Sequence, residues 1–187
     1  MHYKLMLMSL ILIALHSVDK AQSSDLPLYA GDRLMGGRLA LGGLYGADQG
    51  YFLVYEQGVK GQFLAPKNIS TLLGLGGAIG YSYYDDDWPE RRTEHSNLLL
   101  LFSGYYHLFL SQNNRLDTYV LLQGGFNIDN DRFESYSVNF ADRESRDIGL
   151  TLNLGLGMRY FMDPQWSLAG ELMFGAGILR LGIDYQL

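Results

Sequence analysis

The sequence contains no cysteine, and this absence excludes disulfide bonds, thiolate zinc sites and cysteine nucleophiles. Basic residues are also scarce, with 14 Lys and Arg against 20 Asp and Glu. Because nucleic acids are held largely through Lys and Arg on their phosphates, this balance argues against a nucleic-acid partner. The chain has no glycine-rich phosphate loop joined to a helix, no HExxH motif and no recognisable catalytic triad. We expect no catalytic residue, no metal site and no cofactor.

A long apolar segment is missing as well. The main apolar run, Leu5 to Leu15, is too short to cross a bilayer as a helix, which takes roughly 20 residues. It follows Lys4 and leads into a polar stretch that contains Ala21, the order typical of a secretory signal peptide. We therefore predict a signal peptide at residues 1–21, a lead-in at 22–33 and one domain at 34–187. The mean hydropathy of -0.03 is too polar for a bundle of membrane helices.

Alternation of apolar and polar residues dominates the rest of the chain. In RDIGLTLNLGLGMRYF, residues 146–161, an apolar side chain stands at every second position from Ile148 to Tyr160. The positions between carry Asp, Gly, Thr, Asn and Arg. Period two is a strand signature, because successive side chains point to opposite faces. A soluble sheet turns its apolar face to a core, whereas a transmembrane barrel turns it to lipid and keeps the polar face inside.

The same alternation recurs and predicts eight strands. They are residues 34–45, 51–63, 69–84, 96–109, 117–127, 146–161, 166–174 and 178–187. Connections at 62–70, 108–116 and 160–168 share an aromatic residue before Pro, Asn, Asp or Ser and are expected on one rim. The opposite connections include two long loops, 85–95 and 127–145. Short turns at one end and long loops at the other are typical of outer-membrane barrels.

Aromatic residues gather at the ends of the predicted strands, where amphipathic rings favour the membrane interface. One group belongs to the short-turn rim and the other to the opposite rim: Phe63, Phe109, Tyr160 and Trp166, and Tyr45, Tyr51, Tyr81 and Tyr83. The 23 glycines fit a narrow, strongly curved barrel better than a soluble sheet. The sequence therefore predicts an all-β fold, an eight-stranded antiparallel up-and-down transmembrane β-barrel (meander) in the cell outer membrane.

A family resemblance supports this interpretation. The signal peptide, turns such as FMDPQWSL and the closing segment ILRLGIDYQL make the chain similar to the small OmpA-like outer-membrane β-barrel domains of Gram-negative bacteria. The resemblance covers residues 30–187 and rests on strand pattern, with no catalytic motif. It implies contact with outer-membrane lipids and lipopolysaccharide, and assembly by the barrel assembly machinery through the C-terminal strand. Barrels of this family usually end in Phe, whereas this chain ends in Leu187.

Charged residues also fall on the polar face that the alternation turns inward. The inward set is Arg38, Glu56, Lys60, Asp117, Arg159, Glu171, Arg180 and Asp184. Charges in a narrow interior must pair, because desolvation of a lone charge is costly, and equal numbers of each sign allow pairing. Eight strands leave an interior just wide enough for side chains. We predict a structural lumen charge network that fills the barrel; a gated polar path, and hence a small pore, is the competing interpretation.

Residues on the outer side suggest an enzyme or a cation site. His95, Ser96 and Asn97 are similar to the His-x-Ser-Asn element of outer-membrane lipid A deacylases, which suggests a lipid-modifying enzyme. Adjacent strand residues point to opposite faces, however, so His95 and Ser96 cannot easily share a hydrogen bond. His107 lies at the other end of its hairpin and, like His95, is interpreted as a rim histidine. The acidic clusters at 85–87 and 129–131 are candidates for divalent cations, although solvated loops are favoured.

The longest outer connection suggests a function. Within 127–145, the segment ESYSVNF alternates Tyr136, Val138 and Phe140 with polar residues. This pattern predicts that the fifth and sixth strands continue beyond the membrane as a projecting sheet, whose edge accepts a strand from a surface protein partner. A structural or surface-interaction role is therefore expected, and the protein is not expected to be an enzyme.

Overall fold

The described residues form a closed barrel. The structure is a computed structural model that describes residues 28–44, 46–61, 64, 69–88, 91–109, 115–135 and 143–187. Their strands are β1 (Arg33–Leu44), β2 (Ala47–Gly61), β3 (Ser70–Trp88), β4 (Arg91–Phe109), β5 (Leu116–Ser135), β6 (Arg143–Phe161), β7 (Trp166–Phe174) and β8 (Leu179–Gln186). Each strand pairs antiparallel with the next, and β8 pairs with β1. The predicted eight-stranded meander is confirmed.

Some predictions concern residues outside this description. The signal peptide at 1–21 and most of the lead-in, 22–27, are among them, and so are the rim aromatics Tyr45 and Phe63. In the part of the chain that is described, no helix is long and apolar enough to cross a membrane.

The alternation along β6 shows how the wall is built. Leu150 and Leu152 point outward and are 83% and 74% exposed, whereas Asn153 and Arg159 point inward and are buried. Outward apolar side chains on other strands include Leu53, Leu75, Ile79, Phe102, Leu122, Phe126, Leu168, Leu172, Leu181 and Ile183. We call this band the apolar belt. An apolar belt around a closed wall is the lipid-facing exterior of a transmembrane barrel.

Two neighbouring glycines on β5 test how closely the wall is packed. A Cβ on Gly125 would overlap the carbonyl oxygen of Leu100, whereas one on Gly124 would make ordinary contact with Leu152. We expect Gly125→Ala to lower the free energy of unfolding by about 1–3 kcal/mol, the usual cost of overpacking, and Gly124→Ala to change it little. Urea titration in detergent micelles, followed by the gel-mobility shift of the folded barrel, measures both variants. Equal effects of the two substitutions would contradict the close approach of Gly125 to the backbone of β4.

Strands β3 and β4 are longer than predicted. The sequence predicts a loop at 85–95, but β3 continues to Trp88 and β4 begins at Arg91. Asp85 lies opposite Glu94, and Arg92 contacts these two carboxylates at 3.0 and 3.4 Å. The loop prediction was wrong because a strand in water carries charged residues on both faces, which removes the apolar alternation that marks a strand.

Strands β5 and β6 also extend beyond the apolar belt. β5 continues to Ser135 and β6 begins at Arg143, so the predicted loop at 127–145 is mostly strand. The residues on which the projecting sheet was predicted lie outside the described residues: Tyr136, Val138 and Phe140. We call the projecting parts of β3 to β6 the outer sheet; it comprises residues 83–88, 91–97, 129–135 and 143–147.

The lumen is filled in three layers. Near the short turns, the floor consists of Leu28, Leu34, Leu72, Phe109 and Phe161. Toward the outer side, a second apolar layer contains Ala40, Ala47, Phe52, Val54, Ala78, Leu99, Leu101 and Ala176. Charged side chains occupy the space between: along β4, Leu101 belongs to the outer layer, His107 to the middle and Phe109 to the floor. This middle layer holds the candidate site.

Candidate functional site

Arg159 lies at the centre of the charged layer. Its Nε is 2.7 Å from Asp184, its Nη1 is 2.9 Å from Asp117 and its Nη2 is 2.9 Å from Glu56. These four residues come from β6, β8, β5 and β2, so one guanidinium joins strands that are far apart in sequence. The rigid fork of donors on arginine suits several carboxylates at once, which lysine does not offer.

Arg38 on β1 extends the network. Its two terminal nitrogens lie 2.5 and 2.9 Å from the two carboxylate oxygens of Asp184, a bidentate pair, and its Nε lies 3.3 Å from Glu171. Asp184 therefore bridges Arg38 and Arg159. Glu171 also accepts a hydrogen bond from the Tyr119 hydroxyl at 2.9 Å. Every one of these groups is buried, so the pairs are shielded from water.

Arg180 forms the outer end of the network. It donates to the Gln123 side-chain oxygen at 2.8 Å and to the Ala176 carbonyl at 2.7 Å, and it lies 3.8 Å from Glu171. Its guanidinium also stands 4.1 Å from the centre of the Phe52 ring. Arg180 therefore connects the charged layer to the apolar layer above it.

The interpretation of His107 as a rim histidine was wrong, because His107 is fully buried and belongs to the charged layer. Its Nδ1 lies 2.9 Å from Asp117, and its Nε2 lies 2.6 Å from Glu56, although the second contact is bent away from a straight hydrogen bond. A ring nitrogen that carries a lone pair would repel an ionised carboxylate at these distances, so the geometry favours a proton on each nitrogen, and we assign His107 as an imidazolium. One feature of the sequence could have predicted that His107 faces the lumen. It lies at every second position with Ser103 and Tyr105, which both face inward.

Lys60 is a correction to the predicted network. Seven of the eight predicted residues meet in the charged layer, but Lys60 is exposed. The pairing of β2 with β3 shifts between Gly58 and Lys60, where a β-bulge adds a residue and changes which side the chain presents. His107 takes the fourth positive charge in place of Lys60. The four carboxylates are then balanced by three guanidiniums and one imidazolium.

The outer mouth of the lumen does not bring the suggested deacylase residues together. His95 Nδ1 lies 2.7 Å from Asp131, and its ring stacks on Tyr84 with centroids 4.4 Å apart. Ser96 instead lines a groove on the outside of the outer sheet, beside Tyr83. His95 and Ser96 therefore sit on opposite faces, as the strand period requires.

The acidic residues at this mouth repel one another. Burial raises the pKa of the Asp129 carboxyl, a hydrogen bond from Asn97 opposes the rise, and the charges of Asp131 and Asp147 add to it. Within the described ranges, no three His, Asp or Glu side chains are arranged to hold a metal ion.

The known proteins that the chain resembles are solved structures of low sequence identity. No family model matches the chain, and no curated protein matches it. Solved structures that it resembles include β-barrels. Ail, the attachment invasion locus protein of Yersinia pestis, is 12% identical, with a TM-score of 0.49 over 85% of this chain and 100% of that chain. The N-terminal β-barrel domain of Pseudomonas aeruginosa OprF is 17% identical, with a TM-score of 0.45 over 84% and 98%.

A de novo designed transmembrane β-barrel is also similar, at 16% identity and a TM-score of 0.39 over 86% of this chain and 98% of that chain. The placement of the protein in the outer membrane rests on its own closed eight-stranded wall and apolar belt, because barrels of this construction reside there.

Proposed function

We propose that this outer-membrane barrel has a structural and surface-interaction role and is neither an enzyme nor a pore. Outer-membrane lipids and lipopolysaccharide surround its apolar belt, and the barrel assembly machinery inserts it through β8. The ion pairs of its lumen network join distant strands across the barrel and stabilise it. The outer sheet is its contact with a surface protein partner.

The open edges of the outer sheet carry this proposal. β3 pairs with β2 only as far as Ser82, and β6 pairs with β7 only from Leu154 onward. Among the described residues, Tyr83–Trp88 and Arg143–Asp147 therefore have no strand opposite their outer edges. Exposed strand edges present unpaired N–H and C=O groups, which an added strand from a partner can satisfy.

Shortening the β5–β6 hairpin tests this function. Asn130 lies opposite Arg146, so residues 131–145 can be replaced by an Asn-Gly turn between them. The shortened protein is expected to stay folded, because the apolar belt and the lumen network are unchanged. Attachment of cells that display it, to one another or to cultured animal cells, is expected to fall to the level of cells without the protein.

The matched control shortens the neighbouring hairpin. Tyr84 lies opposite His95, so residues 85–94 can be replaced by the same Asn-Gly turn. This variant loses most of the Tyr83–Trp88 edge but keeps the β6 edge, at which we place the partner strand, and it is expected to retain attachment. If the two variants attach equally, or if the unmodified protein causes no attachment, the surface-interaction proposal fails and only the structural role stands.

Because the lumen is filled, the protein is also predicted not to conduct ions. Purified protein in planar lipid bilayers is expected to show no stable conductance, because apolar layers close the lumen on both sides of the charge network. Single-channel recording over a range of voltages measures this. Reproducible channel steps from the unmodified protein would support a pore instead.

A further inference from the structure

A groove lies on the outward face of the outer sheet, directly beyond the apolar belt. Its volume is about 500 Å³, which is in the range of small-molecule binding sites. One row of paired residues crosses it from β3 to β6: Tyr83, Ser96, Asn130 and Arg146. The short side chains of Ser96 and Asn130 form the floor, and the longer Tyr83 and Arg146 form the two walls. The walls stand three strand spacings apart, roughly 14 Å.

The position of the groove brings it to the headgroups of the outer leaflet. On each of the four strands, the neighbouring outward row toward the membrane is apolar or aromatic: Tyr81, Leu98, Ile128 and Ile148. Ile148 is exposed on the lipid-facing side of the wall. The groove therefore begins where hydrocarbon ends. A lipid whose acyl chains lie against this part of the belt has its headgroup in the groove.

The charges of the groove are ordered from the membrane outward. In the row next to the belt, the charged residue is Arg146, and among the described residues its guanidinium has no ion-pair partner. The following row is mostly acidic: Asp85, Glu94, Arg132 and Glu144. Arginine binds phosphate with strong charge-assisted hydrogen bonds, whereas carboxylates accept hydrogen bonds from hydroxyl groups and repel phosphate. The groove is therefore suited to a phosphate beside the belt and to neutral hydroxyl groups farther out.

Exposed tyrosines supply the apolar part of the groove. Tyr81 and Tyr83 both line it, and both rings are exposed. The Tyr83 hydroxyl donates a hydrogen bond to the Glu94 carboxylate, which holds the ring in place. The face of an aromatic ring carries partial negative charge and attracts the C–H groups of a sugar ring. Aromatic faces beside amide, hydroxyl and carboxylate groups therefore suit a sugar and not a bare phosphate.

We propose that this groove binds the phosphorylated sugar headgroup of a glycolipid of the outer leaflet. The phosphate contacts Arg146, and the sugar ring lies on Tyr83 with its hydroxyl groups bonded to Asn130. The acyl chains lie on the apolar belt. This site rests on the contact with lipopolysaccharide proposed above and assigns that contact to one place on the wall. It is separate from the partner strand, which pairs with the edge of β6 and does not use the outward face.

The class of ligand is tested by native mass spectrometry of the protein in detergent micelles. The probes are diphosphoryl lipid A, phosphatidylglycerol, which has a phosphate but no sugar, and monoglucosyl diacylglycerol, which has a sugar but no phosphate. Lipid A is expected to bind at least about tenfold more tightly than either of the others, because it alone makes both kinds of contact. The deacylated headgroup of lipid A is expected to compete poorly, because it lacks the chains that lie on the belt.

The position of the site is tested with matched pairs of variants. Arg146→Gln removes the phosphate contact, and Ser96→Tyr fills the floor; each is expected to weaken binding of lipid A about tenfold. Arg33→Gln, at an exposed arginine on the opposite rim, is expected to have no effect. Tyr83→Ala is expected to weaken binding, whereas Tyr51→Ala, an exposed tyrosine outside the groove, is not. The gel-mobility shift checks that every variant is folded.

Four outcomes overturn the glycolipid site. Binding of phosphatidylglycerol as tight as that of lipid A would mean that the sugar is not recognised, and equally tight binding of the glucolipid would mean that the phosphate is not. Equal competition by the deacylated headgroup would mean that the groove takes a soluble glycan. Equal effects of Arg146→Gln and Arg33→Gln would mean that lipid A binds elsewhere or by net charge. None of these outcomes bears on attachment through the edge of β6 or on general contact with lipid.

Discussion

Replacing Arg159 with methionine is expected to lower the free energy of unfolding by about 3–5 kcal/mol, the cost of breaking a buried ion pair by removing one partner. Methionine fills much of the same space but leaves Glu56, Asp117 and Asp184 facing one another inside the lumen. Only Arg38 and His107 then remain beside these carboxylates. Urea unfolding in detergent micelles, followed by the gel-mobility shift and by tryptophan fluorescence, gives the free energy.

The matched control is Arg146→Met. Arg146 is exposed on the outer sheet, and the same substitution there is expected to change stability by at most about 1 kcal/mol, as for most surface charges. If Arg159→Met and Arg146→Met cost the same, the lumen network does not stabilise the barrel and the structural role proposed for it is wrong.

His107→Phe is expected to cost a similar amount, about 3–5 kcal/mol, because it removes a buried cation and keeps the ring. Glu56 and Asp117 lose the charge that lies between them. His95→Phe is the control: His95 also faces a carboxylate, Asp131, but both side chains are partly exposed, and a loss of at most about 1 kcal/mol is expected. Unfolding of the two variants side by side compares a buried and an exposed pair of the same kind.

A spectroscopic measurement separates the charge of His107 from its packing. Nitrogen-15 NMR of the protein labelled at histidine is expected to show two protonated ring nitrogens for His107 at neutral pH, since both face carboxylates. A neutral tautomer at this position would contradict the imidazolium assignment, even if the phenylalanine variant were unstable for reasons of packing.

Period-two alternation was enough to predict the number of strands, their closure and seven of the eight inward charges. It reports which face a side chain takes, and in a narrow barrel that decides between lumen and lipid. The alternation does not show which other side chains an inward residue contacts. Arg159 on β6 contacts Asp117 on the adjacent β5 and also Glu56 on β2, because a long side chain inside a narrow closed wall reaches groups across the lumen as well as beside it.

Besides the rim interpretation of His107, two sequence-based predictions were wrong for local reasons. Lys60 has the phase of an inward residue, but the bulge after Gly58 changes the register. A glycine within a strand can mark a bulge, but in a chain with 23 glycines Gly58 does not stand out. The outer strands were predicted too short because the alternation ends where lipid ends, while the backbone pairing continues to Trp88 and Arg91. The hydrophobic pattern shows which residues face lipid, whereas the backbone hydrogen bonds show where each strand begins and ends.

The apolar floor has a consequence for how the chain is assembled. It packs Leu28 from the lead-in against Leu34, Phe109 and Phe161, which belong to the first, fourth and sixth strands. Such a floor exists only once those strands stand around a common centre, so a half-inserted intermediate leaves its apolar side chains in water. Pairing of the first and last strands is the contact of longest sequence separation and therefore late in folding. Closure of the barrel buries the apolar floor. A folding chaperone that binds exposed apolar groups would therefore release the closed barrel and retain the incomplete one.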